Sequence, residues 1–194
     1  LAIARTVASK LGAAFFPLDE SRGTGRVVAT EDDQRFFLDF ASLRGDDLNA
    51  DLAARDFTVN AIAVSLGGQL FDPMGGQADL KAKVLRTCSP ASINDDPVRA
   101  LRAVRLAAQL GFRIERGTRE AAREAASRIA SVSAERVRDE FMKMLEEQKP
   151  AASLRALDAL GLLYHVVPET SALKGVTQSA PHVFDVWKHT LAVV

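Results

Sequence analysis

Cysteine occurs once in 194 residues, at Cys88, so no disulfide can form within the chain, and no Cys/His set has zinc-ligand spacing. A small buried hydrophobe is the ordinary role of such a thiol. Long apolar runs are missing as well. Nothing approaches the roughly 18 residues needed to cross a bilayer, and no charged, apolar, small-residue leader is present, so a cytoplasmic protein without a membrane partner is expected. Internal repeats and low-complexity tracts are absent, which removes solenoids and disordered tails from consideration. Net charge is zero, with 25 Lys/Arg against 25 Asp/Glu, so the chain as a whole is no polyanion binder by charge alone.

What is present is a 47% apolar composition rich in Leu, Ala and Val, enough to bury a core and fold. Charge is unevenly spread. Residues 1–94 carry 10 Lys/Arg and 12 Asp/Glu, whereas residues 99–128 carry 8 Arg and 3 Glu. That second stretch is the one candidate footprint for a polyanion, a solvated helical face being the alternative. Leu1 lies within an apparent helix and Val194 within another, so an internal fragment is expected.

Periodicity predicts a helix over 1–11 with Gly12 as its stop, then strands at 15–18, 26–30 and 35–42 with a hairpin turn at 31–34. A helix over 57–66, an extended 69–72, a turn at 73–76 and a short strand near 84–86 follow. From Asp95 onward strand signals vanish. Helices are predicted at 97–110, 117–130, 134–147 and 151–160, with a further one starting near His182. Ser89-Pro90 and Asn94-Asp95-Asp96-Pro97 punctuate the change, since acidic caps and an early Pro open helices. Phe15, Phe16, Phe36 and Phe37 read as sheet core, Met142 with Met144 as helical core, and Trp187 as a packing residue.

The stretch from Asp95 to Arg105 carries the most chemistry. Helical spacing sets Arg99, Arg102 and Arg105 on one flank and Val98, Leu101, Val104 and Ala108 on a buried stripe. On structural grounds alone, the carboxylates cap the helix and Arg99 pairs with Asp95 one turn earlier. On functional grounds, Asp96 and Arg99 imitate a Watson-Crick edge. A carboxylate only accepts hydrogen bonds and a guanidinium only donates them, which suits the amine and ring acceptor of cytosine or adenine and rejects uracil and guanine. Arg102 and Arg105 then hold triphosphate or RNA phosphate. Arg55-Asp56-Phe57-Thr58-Val59-Asn60-Ala61 could by itself be a capped helix start, with Asp56 as cap and Phe57 buried.

That block, Asp72-Pro73-Met74-Gly75-Gly76-Gln77-Ala78-Asp79-Leu80 and Asp95-Asp96-Pro97-Val98-Arg99, in this order, resemble the class II tRNA nucleotidyltransferases, which share their head with bacterial poly(A) polymerases. The resemblance covers almost the whole chain. It implies an α+β fold: the C-terminal part of a mixed α/β nucleotidyltransferase head (1–88), an all-helical neck and body binding RNA and nucleotide (89–165), and the start of an HD-like helical domain (166–194). It implies addition of CMP, AMP or both to tRNA 3′ ends from CTP and ATP, with Mg²⁺. Nucleotide would be bound by Arg55 (phosphate), Asp56 (ribose), Asp96 and Arg99 (base), and Arg102 and Arg105. Asp72–Leu80 matches the hinge between head and neck, and Glu135-Arg136-Val137-Arg138-Asp139-Glu140-Phe141 the block that steadies the neck, although any charged amphipathic helix looks similar.

The family's Asp-x-Asp metal pair and Gly-rich phosphate loop are not in this sequence and would precede Leu1. No complete metal site is therefore expected, and these residues alone should be inactive. Asp39 matches a usually acidic strand position, as a catalytic candidate or an edge-solvating carboxylate. Ala54 stands where relatives commonly carry a second Arg. The link 45–54 is short, which in the family accompanies CC-addition. His182 to Leu191 looks like the opening of an HD-type phosphohydrolase, with His189 at its first ligand position; a surface or core role is the plainer reading for both histidines. Competing with the transferase are an RNA-binding module, a poly(A) polymerase, and an HD-type phosphohydrolase fused to an inert head.

Overall fold

The computed structural model describes residues 1–194, which form two compact units, Leu1–Asp51 and Leu52–Val194. In the first, helix α1 (Ala2–Leu11) precedes three antiparallel strands, β1 (Ala14–Asp19), β2 (Thr24–Glu31) and β3 (Gln34–Phe40), in the order β1-β2-β3. The predicted turn is a two-residue hairpin: Asp32 and Asp33 both have positive φ (48° and 61°) and Glu31 pairs with Gln34, the backbone that a twist-matched hairpin needs. Ala4 and Ala8 of α1 pack on Val27, with Phe15 and Phe40 around them.

The expectation that four phenylalanines fill the sheet core is corrected. Phe16 and Phe37 are 51% and 55% exposed. The pleat explains it: Val27 pairs with Phe15 and Leu38, whereas Phe16 and Phe37 alternate onto the opposite face with Arg26 and Val28.

Helix α2 (Leu48–Ala53) leads into the second unit, where the predicted helix over 57–66 is not found. A single 3-10 turn, Thr58–Asn60, is followed by the hairpin of β4 (Ala63–Val64) and β5 (Leu70–Phe71). Tertiary bonds override the local pattern: Phe57 bridges Thr87, the Thr58 amide donates to the Arg86 carbonyl at 2.9 Å, and the Thr58 hydroxyl donates to Asp79 at 2.8 Å. Helix α3 (Gly76–Ala82), which the sequence reading does not place, leads to β6 (Val84–Leu85). A Cβ on Gly76 would fall 2.1 Å from the Thr58 carbonyl oxygen, so only glycine lets α3 lie against that turn.

The remaining elements are α4 (Ser92–Asp95), α5 (Val98–Leu110), β7 (Arg113–Ile114), α6 (Arg116–Glu124), α7 (Ala134–Leu145), α8 (Pro150–Ala159), α9 (Leu163–Val166) and α10 (Val186–Val193), with 3-10 helices at Ala126–Ser131 and Pro168–Leu173. Strands do not vanish after Asp95: β7 pairs in parallel with β6, Arg113 donating to the Lys83 carbonyl and Glu115 to that of Leu85. Two residues are too few to leave a period-2 signal. Gly111, at φ +65°, closes α5 and lets the Phe112 amide reach the Ala107 carbonyl, turning the chain into β7. Helix α10 starts at Val186, capped by Asp185, not near His182.

Helix α5 is central. Val98, Leu101 and Val104 join Ile129, Met144, Leu157, Leu163 and Trp187 in the main core, while Ala103 and Ala107 meet Phe57 and Leu85 in a second. Each fully buried Leu or Val contributes about 1.5–3 kcal/mol relative to exposure. With two flanks buried, one remains for Arg99, Arg102 and Arg105. Ala108 is half-buried, and Met142 is 46% exposed whereas Met144 is buried, because two positions on a helix differ by about 200°. The predicted boundary at 88/89 falls inside the second unit, where Leu85 and Ala103 share one cluster.

Candidate functional site

Asp56 sits just before the 3-10 turn, largely buried. Its Oδ1 accepts from the Phe57 amide at 2.9 Å and from Asn60 Nδ2 at 3.1 Å, and its Oδ2 accepts from Arg102 Nη1 at 3.0 Å. Burial opposes its ionisation, but the bonds from Asn60 and Arg102 and the Arg102 charge outweigh it and hold the pKa below the usual 3.8. Asp56 is thus an anion at neutral pH. Its part in the interaction with Arg102 is present above pH 3.8 and is lost as the pH falls through the lower folded value.

The fold brings residues 46 positions apart together here, and the ion pair continues. Arg102 Nε donates to Glu140 Oε1 at 3.0 Å, and Arg105 Nε donates to Glu140 Oε2 at 2.7 Å. Glu140, on α7, is 4% exposed, so one buried carboxylate aligns two guanidiniums of α5 through separate oxygens. Burial disfavours charge on Arg102, but Asp56 and Glu140 raise its pKa above the ordinary arginine value. Arg105 also donates to Gln109 at 3.1 Å and lines an open cavity of about 280 Å³ with Gln109, Lys143, Glu146 and Glu147.

Arg99 does not pair with Asp95. Its Nη1 donates to Ser92 Oγ at 2.7 Å and to the Ser92 carbonyl at 3.3 Å, and its Nη2 to the Ala54 carbonyl at 3.3 Å. Asp96 caps nothing; α5 has no side-chain cap, and Asp96 Oδ2 accepts from Arg136 of α7 at 2.6 Å. Asp96 and Arg99 are therefore neighbours with separate partners, not one closed pair. Asp96 is 27% exposed and Arg136 52%, so the pair lies at the surface. Arg55 is exposed and donates to the Asn60 carbonyl at 3.2 Å.

Asp39 lies on β3 in the first unit. Arg26 holds it with two bonds of 2.6 and 2.7 Å, which keeps its pKa low, and the guanidinium also lies 5.2 Å from the Phe37 ring centre. No three His, Cys, Asp or Glu side chains gather into a group that could hold a metal ion. His182 and His189 meet edge to face at 5.4 Å, both exposed. No helix is long and apolar enough to cross a membrane.

Sequence reasoning missed Ser92 and did not single out Glu140 or Arg136 within their charged block. Their partners lie 7 to 40 positions away, and nothing local marks a serine or one glutamate among several as a ligand of arginine.

Residues 17–86 match the family model described as the Poly A polymerase head domain, and residues 111–174 the one described as a probable RNA and SrmB-binding site of polymerase A. An A-adding tRNA nucleotidyltransferase of Deinococcus radiodurans is 44% identical over 191 residues, 96% of this chain and 43% of that protein. A CC-adding tRNA nucleotidyltransferase of Geobacter sulfurreducens is 48% identical over 143 residues, 73% of this chain and 33% of that protein. A tRNA nucleotidyltransferase solved with a primer tRNA and an incoming ATP analog is similar at TM-score 0.74 and 30% identity, over 92% of this chain and 52% of that one. The chain spans less than half the length of these two curated relatives.

Proposed function

Since the chain belongs to the family of tRNA nucleotidyltransferases and poly(A) polymerases, we propose that it serves template-independent addition of CMP, AMP or both to tRNA 3′ ends, releasing pyrophosphate. One observation carries the reading. Arg99 is bonded to the Ala54 carbonyl and Arg102 to Asp56, so the two segments that the family uses for nucleotide lie together. In this proposal Arg55 meets phosphate and Asp56 the ribose. Asp96 and Arg99 read the base, with Arg136 giving way from Asp96 as the nucleotide enters. Arg102 and Arg105, aligned by Glu140, supply positive charge beside the phosphates. Positioning and charge, not covalent chemistry, are what these side chains offer.

Magnesium is proposed from the family likeness alone. When bound, it would steady the triphosphate and activate the 3′ hydroxyl. Asp39, already held by Arg26, is proposed as an accessory carboxylate. The division into a head to residue 88, a neck to 165 and an HD-like segment beyond is part of the same proposal, as is cytoplasmic residence beside tRNA. The short link 45–54 favours CC-addition.

The test is extension of labelled tRNA transcripts ending before, within and after CC by the full-length protein, each nucleotide supplied separately. CMP added to the first two substrates supports CC-addition; AMP added only after CC makes it an A-adding enzyme, and long AMP tails a poly(A) polymerase. RNA binding with no extension by any nucleotide would leave only the RNA-binding module.

A further inference from the structure

We infer that Ser92 is a positioning residue for nucleotide selection, tying the Asp56 loop to the guanidinium of Arg99; the inference rests on the base-reading role proposed for Arg99. Ser92 is 1% exposed. Its Oγ lies 3.2 Å from the Asp56 carbonyl oxygen and 2.7 Å from Arg99 Nη1. The direction of both bonds is fixed by chemistry. A carbonyl can only accept and a guanidinium can only donate, so the single hydroxyl proton must point at Asp56 and the lone pairs at Arg99.

The hydroxyl is therefore a one-way relay between two groups that neither touch nor share a strand or helix. Asp56 closes its own side through Arg102, and Arg99 closes its side on the Ala54 carbonyl. Ser92 is thus a second tie between the loop that carries Asp56 and the base-side arginine, beside the direct bond to the Ala54 carbonyl, and it makes Arg99's shortest bond. The Asp56 carbonyl also accepts from the Cys88 amide at 3.2 Å, so it stays satisfied if the hydroxyl is removed. Ser92→Ala should therefore fold, while leaving Arg99 held only by its two longer bonds to carbonyls. A guanidinium free to swing loses the fixed donor edge with which it would reject uracil.

The experiment is a double-mutant cycle in the full-length protein, reading the ratio of kcat/KM for the accepted nucleotide (CTP or ATP) over UTP in tRNA extension. Arg99→Ala should lower that ratio, and Ser92→Ala should lower it by about tenfold. Ser92→Ala should change it no further in the Arg99→Ala background, because the relay then has no receiver. An unchanged ratio in Ser92→Ala when Arg99→Ala lowers it, a uniform loss with every nucleotide, or additive effects of the two substitutions would each overturn the relay. An unchanged ratio in Arg99→Ala would overturn the base-reading role itself, and the relay with it. If Ser92→Ala does not fold, Ser92→Cys keeps the volume, replaces the hydroxyl with a weakly bonding thiol, and is judged on the same ratio.

Discussion

Glu140 is one carboxylate between two arginines, and its worth lies in what its removal leaves behind. Arg105 is only 15% exposed at the side chain and Arg102 37%, so neutralising Glu140 strips Arg105 of its ion-pair partner and leaves Arg102 with Asp56 alone. Breaking a fully buried ion pair costs about 3–5 kcal/mol. The solvent that reaches Arg102 reduces this, and Glu140→Gln is expected to destabilise the fold by about 2 kcal/mol. Urea denaturation reads the stability, and a loss below about 0.5 kcal/mol would show the bridge to be decorative. Helical spacing made the arginines legible in the sequence and set them on a common flank. It could not show that two of them are already engaged, because their carboxylate comes from 35 to 38 positions downstream.

At the scale of elements, long helices with strong periodicity were readable to within a few residues: α5, α7 and α8 lie where the apolar spacing puts them. Residues 57–66 were not, although their apolar positions suit a helix. Distant partners claim Thr58, the Arg86 carbonyl its amide and the Asp79 carboxylate its hydroxyl, and the contact of α3 with Thr58 depends on Gly76 having no side chain. Gly76→Ala should therefore push α3 off the turn and cost about 1–3 kcal/mol, read as a fall in thermal midpoint. An unchanged midpoint would mean that the turn yields without strain. In the first unit, the alternation of β1 and β3 was correctly read as strand. The face of each phenylalanine was not, since a one-residue shift in register exchanges the faces and the register is set by the Asp32-Asp33 turn.

Across the whole molecule, zero net charge hides a local excess. Arg113, Arg116, Arg119 and Arg123 are all exposed on β7 and α6, within the segment that matches the RNA-binding family model. Single-stranded RNA bound there should weaken steeply with salt, each neutralised phosphate contributing about 0.7 to the logarithmic slope. Replacing Arg116, Arg119 and Arg123 with Gln should lower the slope by about 2. Filter binding over a range of salt concentrations measures it, and an unaltered slope would move the footprint elsewhere. The α+β character and the change to a helical body were visible in composition and punctuation. The division of contacts at 51/52 was not, because Phe57 and Leu85 give no local sign that their burial is completed by the alanines of α5.

The parallel ladder of β6 and β7 fastens together the two ends of the segment that contains α5. The arginine-bearing helix therefore sits on a loop buttoned at its base, and displacing it while the button holds must pivot it as a rod. A rod of this kind carries its three guanidiniums at fixed intervals, so what meets one end of a nucleotide sets the place of what meets the other.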